Sequence, residues 1–131
     1  MLAAVSLFVA AAAAASPAVP QTAPADPLHS DLQALRRRAA DVHPGTAEAR
    51  PVAAELGRIG RDYLEKGDTG RAVELLEEAY GYDPENGLVL ALLTLAYVRR
   101  SDFPFARFYL DLAEQRAPRA PAEAYEILGE V

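Results

Sequence analysis

Apolar residues recur along most of the chain at the spacing of amphipathic helices, and the first clear case lies at residues 30–43. Its apolar positions are separated by three or four residues and therefore share one helical face. They are Leu32, Leu35, Ala39 and Val42. Ser30 with Gln33 three residues later matches a capping box, and the sequence His-Pro-Gly at residues 43–45 is a typical helix end. The pattern predicts a leading helix over residues 30–43.

From residue 53 onward the sequence repeats itself with an offset of 34 residues. Each unit has two apolar stripes, which predict two helices separated by a turn at Gly67-Asp68 in the first unit and at Ser101-Asp102 in the second. Six residue pairs match across the offset without a gap: Leu56 and Leu90, Tyr63 and Tyr97, Ala72 and Ala106, Leu76 and Leu110, Ala79 and Ala113, Pro84 and Pro118. The sequence predicts two helix-turn-helix units, residues 53–86 and 87–120.

Residues 122–131 begin a third unit that does not continue within the sequence. Tyr125-x2-Leu128-Gly129 matches the start of the earlier units with a shift of one residue. Two interpretations stay open: this segment is either the start of a third repeat or a capping helix. In both, the expected fold class is an all-α solenoid of two complete repeats, preceded by a leading helix.

The N-terminal segment has the pattern of an export signal. Residues 2–15 are apolar apart from Ser6, and this run is shorter than the roughly 20 residues that a membrane-spanning helix needs. Small residues precede two possible cleavage points, before Ser16 and before Val19. We therefore expect a signal peptide over residues 1–18 and a Pro/Ala linker over 19–29. No basic residue follows Met1, and an uncleaved segment would act as a short inner-membrane anchor.

Composition removes most catalytic and metal-dependent functions. The 131 residues carry a net charge of −6, contain no cysteine, and include only two histidines. The acidic balance disfavours nucleic-acid binding, and disulfides and thiolate chemistry are excluded. His29 and His43 flank the leading helix about 14 residues apart, or roughly 20 Å by helical rise, so they cannot share a metal. We expect no enzyme activity, no cofactor and no metal; a small hydrolase or a metal-binding protein is a distant alternative.

The 34-residue pattern resembles the tetratricopeptide repeat, whose signature is W-x2-L-G-x2-Y, then A-x3-F, then P. The first unit supplies Leu56, Ile59, Gly60, Tyr63, Ala72, Leu76, Ala79 and Pro84, and the second supplies Leu90, Leu93, Thr94, Tyr97, Ala106, Leu110, Ala113 and Pro118. Leucine replaces the tryptophan in both units, and Thr94 replaces the glycine in the second. The resemblance covers residues 53–120 and implies a solenoid with a concave face.

By this resemblance, the first helix of each unit lines a groove that binds a partner. The implied residues are Arg61, Leu64 and Glu65 in the first unit and Leu88, Ala91, Leu95, Val98 and Arg99 in the second, with Glu123, Glu126 and Glu130 extending the set. The second-unit residues are mostly apolar, which suits an amphipathic helix or an extended peptide with aliphatic side chains. In an alternative interpretation, the leading helix fills the groove with Leu32, Leu35 and Val42.

The expected function is a protein–protein interaction or scaffolding module of the bacterial cell envelope, periplasmic or secreted, whose partner is another protein. The closest alternative is an N-terminal fragment or accessory subunit of a larger repeat array in an envelope assembly or export machine. Membrane contact is expected only through an uncleaved signal. Glu74, Glu77 and Glu78 lie on a second helix, and we expect them to form a solvated acidic face.

Overall fold

The computed structural model describes residues 27–116 and 120–131, and these ranges form six α-helices and no β-strand. The helices are α1 (Pro27–Arg38), α2 (Ala49–Glu65), α3 (Thr69–Tyr82), α4 (Gly87–Arg99), α5 (Phe103–Gln115) and α6 (Ala122–Gly129). The predicted all-α class is therefore confirmed. The predicted signal peptide, most of the predicted linker and Pro118 lie outside the described residues.

The two predicted units form two helical hairpins that stack on one another. In the first hairpin α2 packs on α3, and in the second α4 packs on α5. The hairpins meet because α4 also packs on α3 and α2, which is the arrangement of a solenoid. Gly67 turns the chain between α2 and α3 with φ +86°, and Ser101, 34 residues later, does so between α4 and α5 with φ +60°.

Close helix crossings hold each hairpin together. Leu76 of α3 packs so tightly over Gly60 of α2 that a Cβ atom at Gly60 would lie 2.9 Å from the Leu76 Cγ. Thr94 takes the corresponding place in α4 and is fully buried, and its hydroxyl donates a hydrogen bond of 2.9 Å to the carbonyl oxygen of Leu90. Leu110, the counterpart of Leu76, is only partly buried. The glycine thus marks the tighter of the two crossings.

The leading helix differs from its predicted bounds. It begins at Pro27, because proline needs no donated hydrogen bond in the first turn of a helix. Leu28 then extends the buried face of Leu32 and Leu35, so residues 27–29 are helical and Ser30 is not a cap. The helix ends at Arg38, and the following backbone is held as a turn by the N–H of Val42, which donates to the carbonyl oxygen of Ala39.

Helix α1 covers the first hairpin and does not fill the groove. It packs on α2, and Arg36 Nη2 lies 2.9 Å from Glu78 Oε1 of α3. The interpretation in which α1 occupies the groove is therefore wrong, since Leu32 and Leu35 are buried against the first hairpin.

Helix α6 is instead the element that lies along α4. Ala124 and Ile127 of α6 are buried. Ala120 lies so close to Gly87 of α4 that a Cβ atom on Gly87 would be 2.6 Å from the Cβ atom of Ala120. The chain thus enters α6 beside the first residue of α4, and α6 packs on α4. None of the six described helices has the length and hydropathy that a membrane span requires.

Candidate functional site

A cavity of about 180 Å³ opens between α2, α4 and α6. Five of the eight residues implied for the groove line it: Arg61, Leu64, Glu65, Leu95 and Arg99. Leu92, Ile127 and Glu130 complete the lining. The other three implied residues do not line the cavity: Ala91 is fully buried, and Leu88 and Val98 are partly buried outside the lining. Sequence reasoning missed Leu92 and Ile127.

The floor of this cavity is apolar and its rim is charged. Leu64 and Leu92 are buried beneath it, whereas Glu65 and Arg99 are exposed. Arg99 Nη1 donates a hydrogen bond of 3.3 Å to the carbonyl oxygen of Leu64. The Nε atom of Arg61 lies 3.6 Å from Glu65 Oε1. An apolar floor with charged groups around it is an arrangement for binding, since the hydrogen-bonding groups fix orientation and the apolar area supplies affinity.

The C-terminal helix contributes one wall and a link across the groove. Glu123 of α6 forms an ion pair with Arg61 of α2, although α3, α4 and α5 lie between these helices in the chain. Glu130 lines the cavity, and Glu126 is exposed. Of the three glutamates that were expected to extend the groove, Glu130 therefore lines it and Glu123 pairs with a residue that lines it.

A cluster of aromatic side chains that the sequence pattern did not reveal joins the two hairpins. The hydroxyl of Tyr97 donates a hydrogen bond of 2.7 Å to Glu77 Oε1, and the hydroxyl of Tyr109 lies 2.8 and 2.7 Å from the two Glu77 oxygens. Tyr97 stacks on Tyr109 with ring centroids 5.7 Å apart, and Tyr80 meets Tyr109 edge-on at 5.6 Å. The cluster therefore connects α3 with both helices of the second hairpin.

This environment changes the acidity of both hydroxyls and the role of the glutamate. Burial, and then the hydrogen bond to Glu77, raises the pKa of Tyr97 to about 12. The same two causes raise the pKa of Tyr109. The expected solvated acidic face is wrong for Glu77, which is partly buried and hydrogen-bonded, and for Glu78, which pairs with Arg36; it holds for Glu74, which is exposed.

The described residues contain no group of histidine and acidic side chains that could hold a metal ion. His29 and His43 are both exposed. The His29 ring lies 3.4 Å from the Gln33 amide, and His43 uses its backbone carbonyl to accept a hydrogen bond from Thr46. Neither of these contacts pairs a histidine with an acidic group. The absence of a catalytic role for the two histidines stays a prediction from the sequence.

Two stacked helical hairpins with a groove along their first helices define an α-solenoid repeat protein. Comparison with protein families agrees: the tetratricopeptide repeat model matches residues 63–131, which is more than half of the 131-residue chain. The chain belongs to the tetratricopeptide repeat family. Repeats of this family generally mediate protein–protein interaction or scaffolding and are typically not catalytic. A search of curated proteins and a search of solved structures each gave no match.

Proposed function

We propose that this protein is an interaction module of the bacterial cell envelope that binds a segment of a partner protein in the groove between α2, α4 and α6. The observation that carries the proposal is the cavity of about 180 Å³ with its buried leucine floor and charged rim. Tetratricopeptide repeats generally mediate protein–protein interaction and are typically not catalytic. The residues that line the groove suit binding, since they are leucine, isoleucine, arginine and glutamate. The module would supply recognition, and its partner would supply any activity.

The lining of the groove describes the segment that it would accept. Leu64, Leu92 and Leu95 suit an aliphatic side chain, and the cavity has the size of a single large one. Arg61 and Arg99 stand at its rim beside Glu65 and Glu130. The preferred segment is therefore a short amphipathic helix or an extended peptide whose apolar side chain is flanked by both an acidic and a basic residue.

A photo-crosslinking experiment tests this proposal directly. A photoreactive amino acid replaces Leu95, which lines the cavity, and in a matched variant it replaces Leu88, which is also partly buried on α4 but lies outside the cavity lining. In envelope extracts we expect one discrete crosslinked product from position 95 and none from position 88. Equal products from both positions, or none from either, would contradict a specific groove. Circular dichroism of both variants verifies that the helices remain.

A second candidate function is a role as one unit in a larger repeat assembly, and Tyr125 favours it. This residue occupies the repeat position at which Leu56 and Leu90 are buried in the first two units, yet it is 48% exposed. A further helix packed on α6 would cover it. The crosslinker placed at Tyr125 separates the two candidates, because an assembly contact gives a product from position 125 and not from position 95.

A further inference from the structure

Helix α6 departs from the stacking that the two hairpins show. The first helix of the second hairpin, α4, packs on both helices of the first hairpin, α2 and α3. The sequence of α6 matches the start of a third unit, yet within the described residues its main packing is on α4, and it has no comparable packing on α5. Because Ile127 and Glu130 also line the cavity, α6 lies on the groove side of the second hairpin.

The sequence of α5 differs from that of α3 at the positions that join the hairpins. Glu77 and Tyr80 of α3 both contact Tyr109 of the second hairpin. The residues 34 positions later on α5 are Asp111 and Glu114. Asp111 pairs with an arginine of its own helix at 3.1 Å, and Glu114 is exposed. At these positions α5 therefore does not offer α6 the contacts that α3 offers to the second hairpin.

The contacts of α6 describe a seat for a short helix. Ala124 is fully buried, and Ile127, three residues later, is 7% exposed, so the two share the face that packs on α4. The two residues between them are exposed. Glu123 forms an ion pair with Arg61 of α2. The seat thus accepts an acidic residue, a small residue directly after it, and an aliphatic residue three positions further on.

The open part of the groove is too small to hold a partner by itself. Its cavity of about 180 Å³ has the size of a single large side chain, and even an aromatic side chain buries only about 150–250 Å². A stable protein interface needs about 800 Å² on each partner. Further apolar area lies directly beside the cavity, on the face of α4 that Ala124 and Ile127 cover. A partner helix gains this area when it takes the place of α6.

We propose that α6 is an intramolecular mimic of the partner. The groove takes a short helix of the partner protein in which an acidic, a small and an aliphatic residue are spaced as Glu123, Ala124 and Ile127 are, and this helix replaces α6. Only residues 116–121 join α6 to α5, and a short connection keeps the effective concentration of α6 high. A partner helix displaces α6 because it also fills the cavity. This inference rests on the proposed function.

A peptide with the sequence of residues 120–131 serves as the probe. It carries fluorescein, and its binding to the full chain is measured by fluorescence anisotropy. Ala124→Asp in the chain should release α6, because a carboxylate cannot be buried against α4, and the peptide should then bind at least tenfold more tightly than to the unchanged chain. Ala122→Asp is the matched control, since it makes the same change at an exposed position of α6, and its affinity should equal that of the unchanged chain. Equal affinities for all three chains, or no binding to Ala124→Asp, would overturn the proposal.

A charge reversal releases α6 without any change in the core. Glu123→Arg in the chain places two arginines together at the partly exposed ion pair with Arg61, so the peptide should bind severalfold more tightly than to the unchanged chain. Arg61→Glu combined with Glu123→Arg restores a pair of opposite charges, and the gain should disappear. No gain in the first variant, or a gain that persists in the second, would contradict the assigned seat. Circular dichroism should show a loss of helix no larger than the eight residues of α6.

The crosslinker at Leu95 separates failure of this inference from failure of the proposed function. A discrete product from position 95 in envelope extracts, without peptide binding to the released chain, would overturn the inference and leave the proposed function standing. Peptide binding without any product from position 95 would reject the proposed function, and with it the role of α6 as the mimic of a partner.

Discussion

At the scale of single residues, Glu77 shows how far a side chain can differ from its sequence pattern. The run of glutamates on α3 indicates a solvated face, yet Glu77 accepts hydrogen bonds from both Tyr97 and Tyr109. The pattern could not reveal this, because the two tyrosines are 20 and 32 residues away and reach Glu77 only after the hairpins stack. Its neighbour Glu74 is exposed, as the pattern predicts.

Removal of the Glu77 carboxylate should destabilise the fold strongly. Glu77→Ala leaves two partly buried hydroxyls without their acceptor, and each unsatisfied donor costs about 1–3 kcal/mol, toward the lower end where burial is partial. We expect the free energy of unfolding to fall by about 2–4 kcal/mol in urea denaturation, and by less for Glu77→Gln, which keeps one acceptor oxygen. Glu74→Ala on the same helix should change it by no more than about 0.5 kcal/mol. Equal losses at both positions would contradict the assigned role of Glu77.

The two tyrosines also predict a loss of stability at alkaline pH. In the unfolded chain, tyrosine has its model-peptide pKa of about 10. In the folded chain, the pKa of Tyr97 is raised to about 12. Above pH 10 the unfolded state therefore releases protons that the folded state retains, so the free energy of unfolding falls as the pH rises toward 12. Urea denaturation between pH 8 and pH 11.5 measures this slope. Tyr109→Phe should make the fall of the unfolding free energy with pH shallower. An unchanged slope in this variant would refute a contribution of the Tyr109 hydroxyl to the loss of stability.

At the scale of the elements, the sequence predicted the turns well and the helix ends less well. Gly67 and Ser101 occupy equivalent positions and share a positive φ, as expected from two copies of one hairpin. The sequence pattern predicts the start of the leading helix three residues too late, because Ser30 and Gln33 match a capping box. In the structure the helix begins at Pro27, and Leu28 is buried on the same face as Leu32 and Leu35.

The hairpin turns give a test in which backbone conformation is separated from packing. A Cβ atom at Gly67 would meet nothing within 4 Å, so the cost of Gly67→Ala comes from its φ of +86° alone. We expect a loss of about 1–2 kcal/mol in the free energy of unfolding. Gly81→Ala is the matched control, since its Cβ atom also meets nothing but the residue is helical. It should stabilise the protein by up to about 1 kcal/mol. In thermal denaturation, the melting temperature should therefore fall for Gly67→Ala and rise for Gly81→Ala.

At the scale of the whole molecule, the 34-residue offset was enough to predict two stacked hairpins but not the shape of the groove. Which residues line the groove depends on the rotation of α4, and α4 is buried on several sides because it packs on α2, α3, α5 and α6. An apolar helix carries no periodic signal that distinguishes Leu88, which is outside the cavity lining, from Leu92, which is inside it. The resemblance did indicate that α6 extends the groove through Glu123 and Glu130, but not its contacts with Gly87 and Arg61.

Export belongs to this scale as well, because it decides in which compartment the groove meets its partner. If residues 1–18 are a cleaved signal, N-terminal sequencing of protein from the cell envelope should begin at Ser16 or Val19. The physical reason is the run of residues 2–15, which is long enough for recognition by an export system and too short to span a bilayer. Intact Met1 on protein from the cytosolic fraction would refute export.

The central position of α4 has a consequence for the way the protein opens. Repeat proteins usually lose their end units one at a time, because each unit contacts only its neighbours. Here α4 packs on four other helices, so it keeps all four neighbours when α1 detaches and three of them when α6 detaches. Its amide hydrogens would then exchange with solvent only when the entire chain unfolds, whereas those of α1 and α6 would exchange by local opening. In this protein, α1 and α6 at the two ends are therefore expected to unfold first, and α4 is expected to unfold last.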